Sequence, residues 1–130
     1  MNINAYLAKL ESLIQDCIVV ASYSLKIDRK SEELAFISGK LDFRDGSVLD
    51  FKEFMEERAT GLVKLKYGYN YRAGGEVLFR YDNAPDPRAK QLATFPHHKH
   101  LADGTIVESR EMQLHQVLIE IEKMMIEGQS

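Results

Sequence analysis

Cysteine is almost missing from this chain of 130 residues: Cys17 stands alone, so no internal disulfide can form. That usage fits a reducing compartment such as the cytoplasm. No histidine lies near Cys17 in sequence, so it reads as a small buried residue where a helix gives way to a strand. Long apolar runs are also missing. Nothing approaches the roughly 18 consecutive apolar residues of a membrane span, which predicts no membrane insertion. The opening MNINAYLAKLESLIQD carries acids and has no basic start followed by an apolar core, so no secretory leader is expected. The three prolines, Pro85, Pro87 and Pro96, all fall in one short stretch, which predicts irregular backbone there. No repeat or low-complexity tract appears, and the length suits one domain over residues 1–130.

The net charge of −3 is unevenly spread. Residues 1–59 carry 8 basic and 11 acidic groups, and residues 101–130 carry 2 and 6. Residues 60–100 carry 7 basic and 3 acidic groups together with His97, His98 and His100. A local positive field of this kind suits an anionic partner such as nucleic acid or a phosphate ester. An ordinary solvated surface would also produce it, and the overall acidity speaks against strong nonspecific nucleic-acid binding.

Periodicity orders the rest. Ile3, Leu7, Leu10 and Ile14 form one apolar stripe, predicting a helix from about Asn4 to Asp16. From Ile18 the period becomes two, and strands are expected at about 18–27, 33–43, 47–54, 62–72 and 76–82. Gly39 suggests a bulge or a close backbone approach, and Asp45-Gly46 a tight hairpin turn. Short strands near Lys99–Leu101 and Thr105–Glu108 complete the set. A last helix is expected to start at Ser109 as N-cap, with Leu114, Val117, Leu118, Ile121, Met124 and Met125 as its apolar stripe. His115 falls beside that stripe, at the surface. The predicted fold is α+β: an antiparallel sheet of five to six strands with the N-terminal and C-terminal helices packed on one face. An open sheet edge would permit a homodimer by edge pairing.

The hairpin joining 62–72 to 76–82 sets what faces a ligand. A three-residue turn pairs Arg72 with Glu76 and Lys66 with Asp82, and puts the tyrosines on a core face with Val77, Phe79 and Tyr81. A two-residue turn shifts the register by one and places Arg80 across from Tyr69. Apolar patterning favours the three-residue turn.

Chemistry concentrates between Phe79 and His100, in FRYDNAPDPRAKQLATFPHHKH. In an extended backbone His98 and His100 share a side and His97 points away. Metal-independent RNA cleavage needs a base, an acid and a cation. His98 and His100 suit the proton transfers, and Arg80 and Lys99 suit the phosphate. Asp82 belongs to the same candidate catalytic set. Tyr69, Tyr71, Arg72, Arg88 and His97 are candidates for substrate contact. That scheme requires no metal and no cofactor. The same residues admit a metal-dependent hydrolase at Asp82, His98 and His100. They also admit a plain structural role, with histidines hydrogen-bonded at a rim and Arg80 paired to Asp82.

The segments RYDNA and FPHHKH, with YGYNYR at Tyr67–Arg72, DGS at Asp45–Ser47 and Val107-Glu108-Ser109 leading into the last helix, resemble the TumE-like proteins, over about Ile18 to Glu120. The resemblance implies a growth-inhibiting toxin neutralised by a separately encoded antitoxin. At Asp86-Pro87-Arg88 the chain departs from the family pattern, which has a histidine pair soon after the asparagine-proline region. Three functions are carried forward: an RNA-directed toxin, a binding module that blocks a target through its sheet face, and the metal-dependent hydrolase.

Overall fold

The computed structural model describes residues 1–128. Helix α1 spans Ile3–Gln15, capped by the Asn2 side chain, which accepts the Ala5 N–H. Seven strands follow: β1 (Val20–Arg29), β2 (Leu34–Phe43), β3 (Val48–Arg58), β4 (Gly61–Ala73), β5 (Glu76–Asp82), β6 (His98–Leu101) and β7 (Ile106–Glu108). Helix α2 spans Leu114–Glu127. The strands form one antiparallel sheet in sequence order, as short hairpin connections dictate. The expected five or six strands become seven because β6 pairs with β5 and β7 with β6.

Both helices lie on one face. Leu10 and Ile14 of α1 and Leu114, Val117, Leu118 and Ile121 of α2 join Ile37, Leu41, Leu49, Phe51, Tyr69, Tyr71 and Phe79 in one core. Alternation along the strands sends their neighbours to the opposite face, which no helix covers. Gly39 is a close approach: a Cβ there would stand 2.4 Å from the Phe51 ring. Among the described residues, no helix is long and apolar enough to cross a membrane.

Three local expectations change. Helix α2 starts at Leu114 and not after Ser109: the Ser109 hydroxyl donates to the Arg110 carbonyl at 2.8 Å, and its N–H donates to Thr94 Oγ1 at 3.1 Å, tying residue 109 to the preceding loop. Gln113 and Gln116 exchange backbone and side-chain bonds at the true N-terminus of the helix. Strand β3 continues past the expected end at residue 54 to Arg58, and Glu53 within it faces the core and is fully buried. A bulge facing Phe54 and Met55 inserts one residue into β4, pairing Lys66 with Phe54 but Lys64 with Met55. Lys64 therefore turns into the core instead of sharing a polar face with Lys66, and it pairs with Glu53 at 3.1 Å.

The β4–β5 hairpin begins in the two-residue register and then takes one that neither turn alone would give; Val77, before the shift, is exposed and not on the core face. Ala73 pairs with Glu76 across a two-residue Gly74-Gly75 turn, and both glycines have positive φ. A bulge then shifts the pairing between Tyr71 and Arg72, so Tyr71 meets Phe79 and Asn70 meets Arg80. The added residue restores the faces that a three-residue turn would have produced. The tyrosines and Phe79 go to the core, while Arg80 and Asp82 go to the open face. Asp82 pairs with Gly68 and not with Lys66.

Candidate functional site

The site forms where β5 and β6 pair. Arg80 stands opposite His100 and Asp82 opposite His98, and all four side chains meet on the open face. Arg80 Nε donates to Asp82 Oδ2 at 2.8 Å, and the Ala84 N–H donates to Oδ1 at 3.0 Å. The Nε2 atoms of His98 and His100 lie 3.1 Å from Oδ1 and 3.3 Å from Oδ2, and 3.1 Å from one another. His98 is fully buried, and its Nδ1–H donates to the Pro96 carbonyl at 2.7 Å. His100 keeps 22% of its side chain exposed, so solvent reaches this histidine. Burial pulls the His100 pKa below its usual value; Asp82 opposes the shift, and the charges of His98, Arg80 and Arg88 add to it. Asp82, His98 and His100 are also the three-donor group on the described residues that would take a metal ion.

Two pieces of backbone hold the set in place. Asn83 extends the β4–β5 ladder with its side chain, accepting the Tyr67 N–H and donating to the Leu65 carbonyl, both at 3.0 Å. The loop from residue 84 to 97 then folds over His98. Its Asp86 caps a short 3-10 turn at Pro87–Ala89, Ala89 is fully buried, and Thr94 bonds both the His97 carbonyl and Ser109.

Beside this group the open face sinks into a depression of ≈ 380 Å³, lined by Phe36, Ser38, Lys52, Gly68, Asn70 and Arg80 among others. A second, of ≈ 420 Å³, lies between the strands and the loop and is lined by Lys66, Asp82, Asn83, Pro85 and Pro96. Lys52 and Arg80 line both, so the two adjoin. Gly68 keeps the floor low: a Cβ there would stand 3.4 Å from an Arg80 terminal nitrogen and 3.6 Å from Lys52 Cε.

Sequence alternation had separated these residues correctly only in part. Arg80, Asp82, His98 and His100 come together. Arg72 is also on the open face, paired to Asp50 at 2.8 Å, and Arg88 is on the loop, paired to Asp86 at 2.8 Å. Lys99 is not with them. It points to the helix side, where its ammonium pairs with Glu120 of α2 at 2.8 Å and lies over the Phe79 and Tyr81 rings. His97 also leaves the group, stacking on Tyr67 and bonding its hydroxyl at 2.9 Å. Tyr69 and Tyr71 are buried at 0% and 2% exposure, out of reach of a ligand on the open face. Their hydroxyls are committed to Glu53 and to Ser47.

Lys52, Lys66, Asn70 and Gly68 were missed as site residues. A glycine inside so strongly β-prone a run as Tyr67-Gly68-Tyr69 is the signal that could have found the depression. A second polar group was missed because it lies beneath the helices. Glu53 accepts from the hydroxyls of Tyr6 (2.6 Å) and Tyr69 and pairs with Lys64, whose ammonium also bonds the Tyr69 hydroxyl, Gln113 Oε1 and the Met112 carbonyl. Burial and then the Glu53 charge push the Tyr6 and Tyr69 pKa values far up. Desolvation pulls Lys64 down against the pull of Glu53. This group clamps α1 and the start of α2 to the sheet.

No curated protein and no solved structure matches the chain. The family model described as Toxin TumE matches residues 10–125, a span that takes in the end of α1, all seven strands, most of α2 and every residue of the site. The chain belongs to the TumE toxin family.

Proposed function

We propose that this toxin acts on RNA from the open face of its sheet, with Asp82, His98, His100 and Arg80 as the reacting group. The family supplies the toxin role and implies an antitoxin partner. The observation that carries the RNA-directed reading is the convergence of one guanidinium, one carboxylate and two imidazoles beside a depression lined by Lys52 and Arg80 together with Asp50. Arg80, 38% exposed at its side chain, is the phosphate ligand. Lys52, Lys66 and Arg72 extend the positive field along the backbone of a strand laid in the depression. Phe36 and Phe54, with rings 6.2 Å apart, offer a stacking surface for a base.

The division of labour departs from a two-histidine acid–base pair. In-line displacement at phosphorus puts the attacking and leaving oxygens on opposite sides of the phosphate. Two Nε2 atoms 3.1 Å apart on one carboxylate cannot straddle it. His100 is the group that meets the substrate. His98, with no exposed surface, is a positioning residue that holds Asp82 and His100 in register.

The test is induced expression of the wild type and of His100→Ala in a bacterial host, reading growth and total RNA together. Wild-type growth arrest with fragmented RNA, both lost in His100→Ala, supports the proposal. Growth arrest with intact RNA favours a toxin that blocks its target by binding through this face. Equal arrest by both forms removes the site from the function.

A further inference from the structure

We infer that Asp82, His98 and His100 form a site for a divalent transition-metal ion. The argument starts from a hydrogen. A carbonyl oxygen accepts and never donates, so His98 Nδ1, 2.7 Å from the Pro96 oxygen, must carry the hydrogen of that bond. In the neutral imidazole Nε2 then presents a bare lone pair. It faces one further acceptor, Asp82 Oδ1, and the His100 Nε2 atom, each at 3.1 Å. His100 Nε2 in turn faces Asp82 Oδ2 at 3.3 Å. The His98 and Asp82 lone pairs face one another across 3.1 Å and repel unless positive charge sits between them. A metal cation satisfies all three donors at once.

The spacing fits. For metal–ligand bonds of about 2.0–2.1 Å, neighbouring donors lie about 2.9 Å apart in octahedral geometry and about 3.4 Å apart in tetrahedral geometry. The shortest separations, 3.1, 3.1 and 3.3 Å, run to both oxygens of Asp82, so they suit a carboxylate that binds through both; with one atom from each residue the donors lie within 4.8 Å of one another, and the set would draw together around an ion.

The surroundings are those of a ligand set. Metal-bound histidines donate their other N–H to a carbonyl or carboxylate, and ligating carboxylates are themselves hydrogen-bonded. His98 does the first through Pro96, and Asp82 does the second through Ala84 and Arg80. Two imidazoles and one carboxylate select zinc, cobalt, nickel, iron or manganese over magnesium and calcium, which take oxygen donors. Three protein ligands leave coordination positions free for water or a substrate oxygen. The Arg80 charge opposes a second cation nearby, so binding relies on the Asp82 charge and on neutral imidazoles.

The meaning of the metal for RNA rests on the proposed function, but its binding does not. The full chain, purified and dialysed against EDTA, is titrated with Co²⁺ and then Zn²⁺, followed by calorimetry and visible absorption. The expected result is one bound Co²⁺ per chain with a ligand-field spectrum, displacement by Zn²⁺, and a rise in melting temperature. His100→Ala and Asp82→Asn should each weaken binding by at least about tenfold. Lys99→Ala, altered between the two histidines but on the other face, should bind as the wild type does. No ligand-field spectrum, or equal binding by wild type and His100→Ala, overturns the inference. A chain that binds metal but leaves RNA intact keeps the metal site and removes the RNA-directed reading. A chain that cleaves RNA without binding metal does the reverse.

Discussion

Lys99 reaches Glu120 of α2 at 2.8 Å, and that single contact divides the segment His98-Lys99-His100 between the two faces of the sheet. The histidines on either side stay with Asp82 on the open face. Strand geometry forces the split, because successive side chains point to opposite faces.

The first prediction follows from that split. Lys99→Ala should retain growth inhibition, while His100→Ala loses it. The Lys99–Glu120 pair is partly exposed, so its loss should cost about 0.5–1 kcal/mol of stability. Growth curves on induction and a urea denaturation curve for each purified variant check both halves.

The depression itself can be closed without touching Arg80, Asp82 or the histidines. Gly68→Leu places a side chain on the floor of the depression, against an Arg80 terminal nitrogen 3.4 Å and the Lys52 stem 3.6 Å from the new Cβ. Backbone strain does not arise, since Gly68 is not among the positive-φ glycines. Replacing a strand glycine should leave the melting temperature equal or slightly higher. Toxicity should fall at least about tenfold if ligands enter there, as an O-ring of excluded water and blocked contacts implies. Full toxicity in a folded Gly68→Leu protein would move the ligand elsewhere.

The buried pair beneath the helices predicts a pattern of energies. Glu53 and Lys64 have side chains 0% and 2% exposed. Removing one partner strands the other charge, so Glu53→Gln and Lys64→Met should each cost about 3–5 kcal/mol. The double variant should be less damaged than the sum of the singles, because neither charge is then left uncompensated. Equilibrium unfolding of the four proteins completes the cycle, and strict additivity would show that the two residues act independently.

Cys17 supplies a pH dependence. Burial, and then its bond to Glu122, push the thiol pKa up from 9.0 to about 11. A rise of two units lowers the thiolate fraction about 100-fold near neutral pH. Labelling by a thiol reagent should therefore be on the order of a hundredfold slower in the folded chain than in urea, and should accelerate only as pH nears 11. The sign for stability follows from linkage. The folded state keeps the proton that the unfolded state gives up, so this contribution is complete below about pH 9 and is lost as pH rises through 11. A folded chain that labels as fast as the denatured one at pH 8 would contradict the burial of Cys17.

Much of the architecture was legible locally. The α1 stripe, five long strands, the Asp45-Gly46 turn and the α2 stripe follow from spacing alone, because each element buries one face and repeats with its own period. What escaped were the departures from strict period. The extra residue in β4 next to Phe54 and Met55 turned Lys64 inward, and the shift between Tyr71 and Arg72 reconciled a two-residue turn with a core of tyrosines. Bulges insert one residue without a strong local signature, so they show only when strands are paired. The start of α2 was misplaced for a related reason: Ser109 is a good cap in isolation, but its hydroxyl turns to the Arg110 carbonyl and its N–H to Thr94.

For the site, the sequence by itself determined which chemistry is present. A guanidinium, a carboxylate and three imidazoles lie within a span of 22 residues, and alternation in an extended segment puts His98 and His100 on one side and His97 on the other. Only the tertiary structure decided which of these groups meet. Pairing of β5 with β6 brought Asp82 opposite His98 and Arg80 opposite His100, across a loop whose path no periodicity describes. The helices then covered the face to which alternation assigns Lys99, Tyr69 and Tyr71, which closed those three to a ligand on the open face. The reason is physical: alternation assigns a residue to a face, but cross-strand register and the helices that cover one face decide what that residue touches.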